Sequence, residues 1–238
     1  MENRRGISGN GLKLIALLSM LTDHFGAVVV ERTRVFNQFD TQFWDTIYGP
    51  LRSVGRLAFP IFCFLLVEGF IHTKDVKKYF FRLLLFAFLS EIPFNLALTG
   101  NIWDERYQNV FWELTLGLLV MWLIRLVEEK QFSFVIQTLW KLLVITAGMA
   151  AGEWLSLDYG LYGIFSIGIL YLCRGRRFNQ LLAGAATFLW ENPAPVAFIP
   201  IAFYNGKRGR GLKYAFYIFY PAHLLILYAI ARVIGCPY

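Results

Sequence analysis

Long apolar stretches alternate with short polar breaks along the whole chain. A helix needs about 20 predominantly apolar residues to cross the hydrocarbon core of a bilayer, so this pattern predicts membrane-crossing helices. They are predicted near residues 12–30, 55–72, 80–99, 109–127, 134–151, 160–173, 179–190, 195–205 and 213–234. The sequence therefore predicts an all-α integral membrane protein, a bundle of about nine transmembrane helices, with residues 1–238 forming a single polytopic membrane domain.

The seventh and eighth stretches are too short for a full crossing. They flank the run Glu191-Asn192-Pro193-Ala194-Pro195, whose prolines interrupt a helix. Two interpretations fit residues 179–205: two short tilted spans, or one re-entrant hairpin. Both return the chain to the side of the membrane from which the seventh stretch begins.

Composition supports a membrane protein. Hydrophobic residues make up 57% of the 238 residues and charged residues 16%, whereas a soluble domain carries roughly 25% charged residues. That is too little charge to coat a water-soluble protein of this size. The apolar run after Arg4-Arg5 lacks a small-residue cleavage site, so we expect an uncleaved first span rather than a signal peptide.

Several familiar chemical signatures are absent from the sequence. The three cysteines are scattered and form no CxxC pair, which argues against a disulfide framework or a zinc site. There is no Walker, GxSxG, HExxH or dinucleotide-binding motif. Nothing in the sequence points to ATP, a metal or a nicotinamide cofactor.

The basic residues are divided unequally between alternate loops. One set of loops contains only six: Arg32, Arg34, Arg52, Arg56, Arg106 and Arg232. The rest of the 23 lysines and arginines fall within residues 4–13, 74–82, 125–141, 174–177 and 207–213. Because loops rich in lysine and arginine stay in the cytoplasm, we expect a bacterial plasma-membrane protein with a cytoplasmic N-terminus and an external C-terminus.

Six ionisable side chains within the predicted spans are candidates for a functional site. An ionised group at mid-bilayer costs at least about 2.5–3.5 kcal/mol, so such residues usually face the bundle interior and mark a functional site. They are Asp23 and His24 in the first span, Glu68 in the second, Glu91 in the third, Glu113 in the fourth and His223 in the last.

His24 is the candidate general base, because a neutral imidazole accepts a proton near neutral pH. Asp23 or Glu91 would orient a polar network around it, and His223 would line the cavity or relay a proton. Adjacent helical residues point about 100° apart, so Asp23 and His24 border the cavity from different faces. For His24, the alternative is a structural hydrogen bond between helices. For His223 it is a kinked helix with a capped histidine, and for Glu91 a local group of hydrogen-bonded polar residues.

Two of these candidates lie beside prolines. Glu91 precedes Pro93, and His223 follows Pro221. Proline frees backbone groups that neighbouring helices or water must satisfy, so the sequence predicts a broken helix at each position.

Further residues are candidates for binding. Arg56 would hold a carboxylate, a phosphate or a developing oxyanion, and Glu68 and Asn95 are further candidates for substrate binding. Topology and anionic lipid explain most of the cytoplasmic basic clusters. The other explanation is a polyanionic cofactor such as coenzyme A, for which the candidates are Lys77, Lys78, Arg82, Lys207 and Arg208.

Seven ordered motifs span nearly the whole chain and resemble the TraX family of polytopic membrane proteins. The first three are Leu12-Lys13-Leu14-Ile15-Ala16 with Met20 and Asp23-His24, Gly55-Arg56-Leu57-Ala58-Phe59-Pro60-Ile61-Phe62, and Glu68-Gly69-Phe70 with His72-Thr73. The others are Ser90-Glu91-Ile92-Pro93-Phe94-Asn95, Asp158-Tyr159-Gly160, Tyr204-Asn205-Gly206-Lys207-Arg208-Gly209 and Phe216-Tyr217-Ile218-Phe219-Tyr220-Pro221-Ala222-His223-Leu224.

The resemblance implies acyl transfer. Plasmid-encoded TraX members acetylate the N-terminus of pilin, and the family is similar to larger membrane acyltransferases that use cytosolic acyl-coenzyme A. It implies acetyl-CoA or another acyl-CoA as co-substrate, no metal, and an envelope glycan, pilin or other exported acceptor. The expected partners are these molecules and the lipid bilayer, not nucleic acid. Direct transfer and a covalent acyl-histidine intermediate both remain open.

A proton-coupled small-molecule transporter or flippase is the alternative function. Buried acids and histidines also relay protons in such proteins, and interrupted helices are common there. The sequence contains no visible internal inverted repeat, which favours the acyltransferase.

Overall fold

The computed structural model describes residues 6–36, 41–209 and 215–235. These residues form helices, with two isolated β-bridges. The sequence features at Arg4, Arg5, Arg210, Lys213 and Cys236 lie outside the described residues. The α-helices are α1 (Gly9–Phe25), α2 (Glu31–Phe36), α3 (Thr41–Gly55), α4 (Ala58–His72), α5 (Val76–Thr99), α6 (Val110–Glu128), α7 (Phe134–Trp154), α8 (Gly160–Leu172), α9 (Arg177–Thr187), α10 (Phe198–Ala202) and α11 (Ala215–Val233).

Six helical stretches in the described part of the chain are long and apolar enough to cross a membrane. They are Gly9–Thr33, Gln42–His72, Val76–Thr99, Val110–Glu128, Phe134–Trp154 and Ala215–Val233. The stretch Gly160–Gly175 is apolar but shorter. The predicted helical membrane protein is therefore confirmed. Helix α9 has 11 residues, which gives about 16 Å of length, roughly half of the hydrocarbon thickness.

The first compact unit contains Met1–Phe62, Leu89–Asp104 and Phe188–Tyr238. In this unit α1 packs against α3 and α11, and the π-helical segment Gly26–Val30 packs against the same two helices. Buried apolar side chains such as Leu12, Ala16 and Leu224 fill the space between them. The unit therefore fixes α1 between α3 and α11.

A backbone clasp holds the start of α1 in this unit. The N–H groups of Gly9 and Asn10 donate to the carbonyls of Lys207 and Arg208 at 2.8 and 2.9 Å. Ser8 caps the helix through its side chain. The first N–H groups of a helix have no partner within it. The segment at residues 204–209 thus supplies hydrogen-bond acceptors for these N–H groups. This motif therefore has a structural role at the start of α1.

The second compact unit contains Cys63–Phe88 and Glu105–Thr187. Helices α6, α7 and α8 pack together in it, and small residues allow the close approach. A methyl group added at Gly148 would meet Val120 at 2.5 Å, and one at Gly117 would collide with Ile167. Such small residues at helix contacts are typical of membrane proteins.

Two sequence expectations differ from the structure. Residues 31–54 lie between predicted spans, but the structure contains α2 and α3 there. Helix α3 is amphipathic and contains Pro50, so it lacks a continuous apolar stretch. The predicted breaks at Pro93 and Pro221 are wrong, because α5 and α11 continue through them. A proline removes one backbone hydrogen bond, and packing in a membrane bundle compensates for it.

Candidate functional site

The two histidines predicted to be catalytic come from the first and last long helices and form a pair. The distance between His24 Nδ1 and His223 Nε2 is 2.6 Å. The ring planes lie within 13° of parallel and the centroids are 4.9 Å apart, as expected for rings joined edge to edge. The structure therefore brings together side chains 199 residues apart in the chain.

The hydrogen bonds around this pair assign its tautomers. His223 Nδ1 lies 2.8 Å from the carbonyl oxygen of Phe219. A carbonyl only accepts, so Nδ1 of His223 carries the proton. In the neutral pair, His223 Nε2 is then the acceptor and His24 Nδ1 the donor. This leaves Nε2 of His24 with an available lone pair, which is the requirement for a general base.

The surroundings of the two rings differ. His223 is buried, and its ring lies 4.8 Å from that of Phe219. Tyr220 is also buried and presents its edge to both histidines, with centroid distances of 5.9 Å to His24 and 5.7 Å to His223. His24 remains partly exposed. The pair therefore has a fixed, enclosed member and an accessible one.

The backbone beside His24 is irregular. The π-helical segment Gly26–Val30 follows α1 directly. Single π turns inside α-helices occur frequently at functional sites. A methyl group added at Gly26 would lie 3.3 Å from Leu51 and 3.5 Å from Arg52, so the π-helical segment and α3 approach closely next to the histidine.

Asp23 points away from the histidine pair and toward α3, in agreement with the 100° rotation between adjacent helical residues. Its Oδ2 forms an ion pair with Arg52 Nη1 at 2.7 Å. Ser19, one turn earlier, donates to the carbonyl of Val54. A methyl group at Gly55 would collide with the Asp23 carboxylate. Asp23 therefore joins α1 to α3, and the described hydrogen bonds do not link it to His24.

Arg56 begins the connection between α3 and α4 and pairs with Glu191. The Arg56 side chain is 36% exposed and that of Glu191 is 9% exposed. A guanidinium has five N–H donors, so the ion pair leaves several donors of Arg56 available to a ligand. The backbone N–H of Arg56 donates to the carbonyl of Arg52 at 3.1 Å, so the two arginines are one turn apart at the end of α3.

The remaining predicted site residues of the first unit lie in α5 and in the clasp. Asn95 is buried and donates to the carbonyl of Ile102 at 3.4 Å. Glu91 is half-buried on the same helix. The side chains of Lys207 and Arg208 are exposed, while their carbonyls hold the start of α1. The Asn95 amide donates no hydrogen bond to Glu91, which lies one turn earlier in α5.

In the second unit, the predicted binding residues lie at the end of α4 and the start of α5. Glu68 is half-buried, and Arg82 lies over the ring of Tyr79 at 5.3 Å. Lys77 and Lys78 are exposed. The N–H of Lys78 donates to Asp75 Oδ1 at 2.9 Å, and this hydrogen bond lowers the pKa of Asp75. The ionised Asp75 also pairs with Lys78 Nζ at 3.3 Å.

Glu113 is the most enclosed acid of those predicted. It is fully buried in the second unit, and neither carboxylate oxygen has a hydrogen-bond partner among the described residues. The carboxylate faces the start of α8 at Tyr159 and Gly160. A methyl group at Gly163 would collide with it. The missing side chain of Gly163 thus provides the space that Glu113 occupies.

Three residues of the candidate site were not predicted as site residues: Arg52, Glu191 and Tyr220. Arg52 was missed because α3 was not predicted. Tyr220 lies in the motif that contains His223. Glu191 stood out only as a charge beside two prolines, and nothing in the sequence connected it to Arg56.

The TraX family model matches residues 8–231 of the chain. The chain belongs to the TraX family. The match covers both histidines, both ion pairs and the clasp, so the TraX region contains the whole candidate site. A curated relative of similar length is the probable fimbrial assembly protein FimC, serogroup H1, of Dichelobacter nodosus. It is 28% identical over 257 aligned positions, covering 95% of this chain and 97% of the relative. No solved structure matches the chain.

The TraX site contains groups for proton transfer and for anion binding. Within residues 6–36, 41–209 and 215–235, no three His, Cys, Asp or Glu side chains are grouped so that they could hold a metal ion. The groups with chemical capacity are the basic nitrogen of His24, the partly exposed Arg52 and Arg56, and the exposed basic residues of each unit.

Proposed function

We propose that this TraX protein is a membrane-embedded acyltransferase. It transfers an acetyl or other acyl group from acyl-coenzyme A to a hydroxyl or amine of an exported or envelope acceptor. The observation that carries the proposal is the His24–His223 pair, whose hydrogen bonds leave Nε2 of the accessible histidine unprotonated. Such a nitrogen can remove the proton of an acceptor nucleophile.

His223 supports His24 in the proposed mechanism. When Nε2 of His24 takes a proton, the ring becomes an imidazolium, and its Nδ1–H still donates to Nε2 of His223. A hydrogen bond from a charged donor is stronger than a neutral one, so His223 stabilises the protonated base more than the neutral base. The Phe219 carbonyl holds His223 in the tautomer that accepts this bond.

The reaction has balanced steps. Nε2 of His24 removes the proton of the acceptor hydroxyl or amine as its oxygen or nitrogen attacks the thioester carbonyl. The carbon–oxygen double bond opens to an oxyanion, which then collapses and breaks the carbon–sulfur bond. The coenzyme A thiolate leaves and takes the proton from the imidazolium of His24. The acceptor gains the acyl group, and the free thiol is the second product.

Arginine side chains would stabilise the oxyanion or hold the acceptor. Arg56 is the candidate, since its ion pair with Glu191 fixes the side chain and leaves N–H donors unused. Preorganised donors directed at a developing oxyanion are worth about 10²–10³-fold in rate. The Arg52–Asp23 pair fixes the same end of α3 against α1.

The acyl donor would enter from the cytoplasm. Exposed Lys77, Lys78, Lys207 and Arg208, together with Arg82, are the proposed partners of its phosphates. The distribution of basic residues between loops supports this orientation, with the N-terminus in the cytoplasm. Since Asp75 offsets part of the charge of Lys78, Lys77 is the stronger of these two candidates.

The acceptor is proposed from the relative. The D. nodosus protein is named as a probable fimbrial assembly protein, and the resemblance to TraX members that acetylate pilin points the same way. We therefore propose a fimbrial or pilin subunit as the first acceptor to test, with envelope glycans as the second.

The test supplies acetyl-coenzyme A labelled with carbon-13 in the acetyl group to membrane vesicles with and without the protein. Mass spectrometry then follows labelled acetyl groups on exported peptides and envelope glycans. Label that depends on the protein supports the proposal. Protein-dependent solute movement with no labelled acceptor would favour the transporter and overturn the acyltransferase.

A further inference from the structure

Three helix ends meet in a basic and aromatic region of the second unit that the mechanism above does not use. It lies where α4, α6 and α8 end, and the first half of α7 packs beside it. We call it the cation–aromatic cluster and define it by six residues: Phe70, Arg125, Glu128, Lys141, Tyr171 and Arg174.

Two arginines in the cluster lie flat on buried aromatic rings. Arg125 Cζ is 3.8 Å from the centroid of Phe70, and Arg174 Cζ is 3.8 Å from that of Tyr171. The two rings meet edge to face at 5.4 Å and are almost fully buried. Stacking uses the faces of a guanidinium and leaves its N–H edges for hydrogen bonds. The arginines are thus held in place before any ligand arrives.

The cluster has an excess of positive charge. Glu128 is its only acid, and it already pairs with Lys141 at 3.0 Å and with Arg174 at 2.6 Å. Arg125 contacts no carboxylate in the part of the chain that the structure describes. Its Nη2 donates to the carbonyl of Phe70 at 3.0 Å. The cluster therefore has three cations for one carboxylate, two of which pair with it, and the guanidinium of Arg125 retains unused donors.

The local backbone does not supply this positive charge. The C-terminus of a helix carries partial negative charge, and three helices end here. The side chains alone would therefore attract an anion, so loss of one arginine should strongly weaken anion binding. A phosphate suits two preorganised guanidinium groups, because arginine binds phosphate oxygens through paired N–H donors.

We propose that the cation–aromatic cluster binds a phosphate group, with Arg125 and Arg174 as the principal ligands. This inference rests on the proposed function: the phosphate group belongs to the acyl donor, whose coenzyme A portion carries a 3′-phosphate and a pyrophosphate. The headgroup of an anionic lipid offers the same chemistry. The cluster shares no residue with the set Lys77, Lys78 and Arg82, and packing fixes its side chains.

The test uses purified full-length protein in neutral detergent. Isothermal titration measures binding of coenzyme A, 3′-dephospho-coenzyme A, inorganic pyrophosphate and phosphatidylglycerol. The central variant is Arg125→Gln, which retains a donor for the Phe70 carbonyl but removes the charge. Its matched control is Arg176→Gln, since Arg176 is exposed and makes none of the cluster's contacts. Arg125→Lys tests the need for a flat, forked cation.

We expect Arg125→Gln to weaken binding of at least one phosphate probe about tenfold or more, since a hydrogen bond to a charged group is worth about 1.5–3 kcal/mol. Arg125→Lys should recover part of the loss, and Arg176→Gln should change affinity less than about twofold. A loss for coenzyme A or pyrophosphate identifies the donor, and a loss for phosphatidylglycerol alone identifies a lipid headgroup.

Two results would overturn the site: no phosphate probe binds the wild-type protein, or Arg125→Gln and Arg176→Gln weaken binding equally. The second would mean diffuse attraction by surface charge. The proposed function is judged separately by labelled acetyl transfer. Transfer that continues while Arg125→Gln changes the affinity for none of the phosphate probes rejects the site alone, and phosphate binding without any transfer rejects the function alone.

Discussion

His24 Nδ1 lies 2.6 Å from His223 Nε2, and the far nitrogen of His223 is bound to the Phe219 carbonyl. This chain of hydrogen bonds runs in one direction, from His24 through His223 to a carbonyl that only accepts. Because of it, the basic nitrogen of the pair is Nε2 of His24, on the partly exposed ring. The predictions below separate the chemical role of this pair from the structural roles of the groups around it.

Replacement of His223 by alanine should slow acyl transfer without abolishing it. The change removes the acceptor for His24 Nδ1–H and leaves the base present but unsupported. We expect a fall of about tenfold or more, smaller than the 10²–10⁴-fold attributed to a general base. Initial rates of labelled acetyl transfer measure it. A rate equal to that of the wild-type protein would show that the hydrogen bond is only structural.

Gly55→Ala should destabilise the contact between α1 and α3. The new methyl group would collide with the Asp23 carboxylate, and such overpacking typically costs about 1–3 kcal/mol. The matched control is Gly49→Ala in the same helix, where nothing lies within 4 Å. Thermal unfolding in detergent should show a lower Tm for Gly55→Ala and no loss for Gly49→Ala. Equal Tm values for both variants would contradict the described packing of Asp23.

Arg56 and Glu191 should be energetically coupled. Arg56→Gln and Glu191→Gln each leave one charged partner, whereas the double variant leaves none. Contacting charged pairs show coupling of about 0.5–3 kcal/mol, and the partial exposure of Arg56 places this pair in the lower part of that range. A double-mutant cycle on thermal stability measures the coupling. Strictly additive effects would mean that the two side chains do not pair.

Glu113→Gln should leave stability unchanged or raise it, whereas Glu113→Ala should lower it. Glutamine keeps the shape and replaces a buried carboxyl group whose oxygens lack a hydrogen-bond partner among the described residues, and a carboxyl group that ionises there without a partner is costly. Alanine leaves a cavity next to Gly163. Thermal unfolding compares the two. A large loss of Tm for the glutamine variant would indicate that the carboxylate is needed in its charged form.

The sequence predicted the helices well where apolar length alone decides them. Helices such as α6 and α7 coincide closely with predicted spans, because the bilayer requires a continuous apolar stretch. Helix α3 was missed, since it is amphipathic and contains Gly49-Pro50. The breaks expected at Pro93 and Pro221 did not occur, because packing in a bundle overrides a local preference.

The residues of the candidate site were easier to predict than their partners. His24 and His223 stood out as ionisable groups in apolar stretches. Their pairing depends on which helices are neighbours, which a single sequence does not contain. The same holds for Asp23, whose partner Arg52 lies in the helix that was missed. The helical rotation between Asp23 and His24 did predict that the two side chains diverge.

The most direct test of the central claim is the rate of labelled acetyl transfer by His24→Ala. The variant should insert into the membrane and keep a Tm close to that of the wild-type protein, because His24 is partly exposed and its side chain has a single hydrogen-bond partner among the described residues, His223. The account predicts that transfer falls by about 10²–10⁴-fold, the range for loss of a general base. Transfer by His24→Ala at the wild-type rate would contradict it.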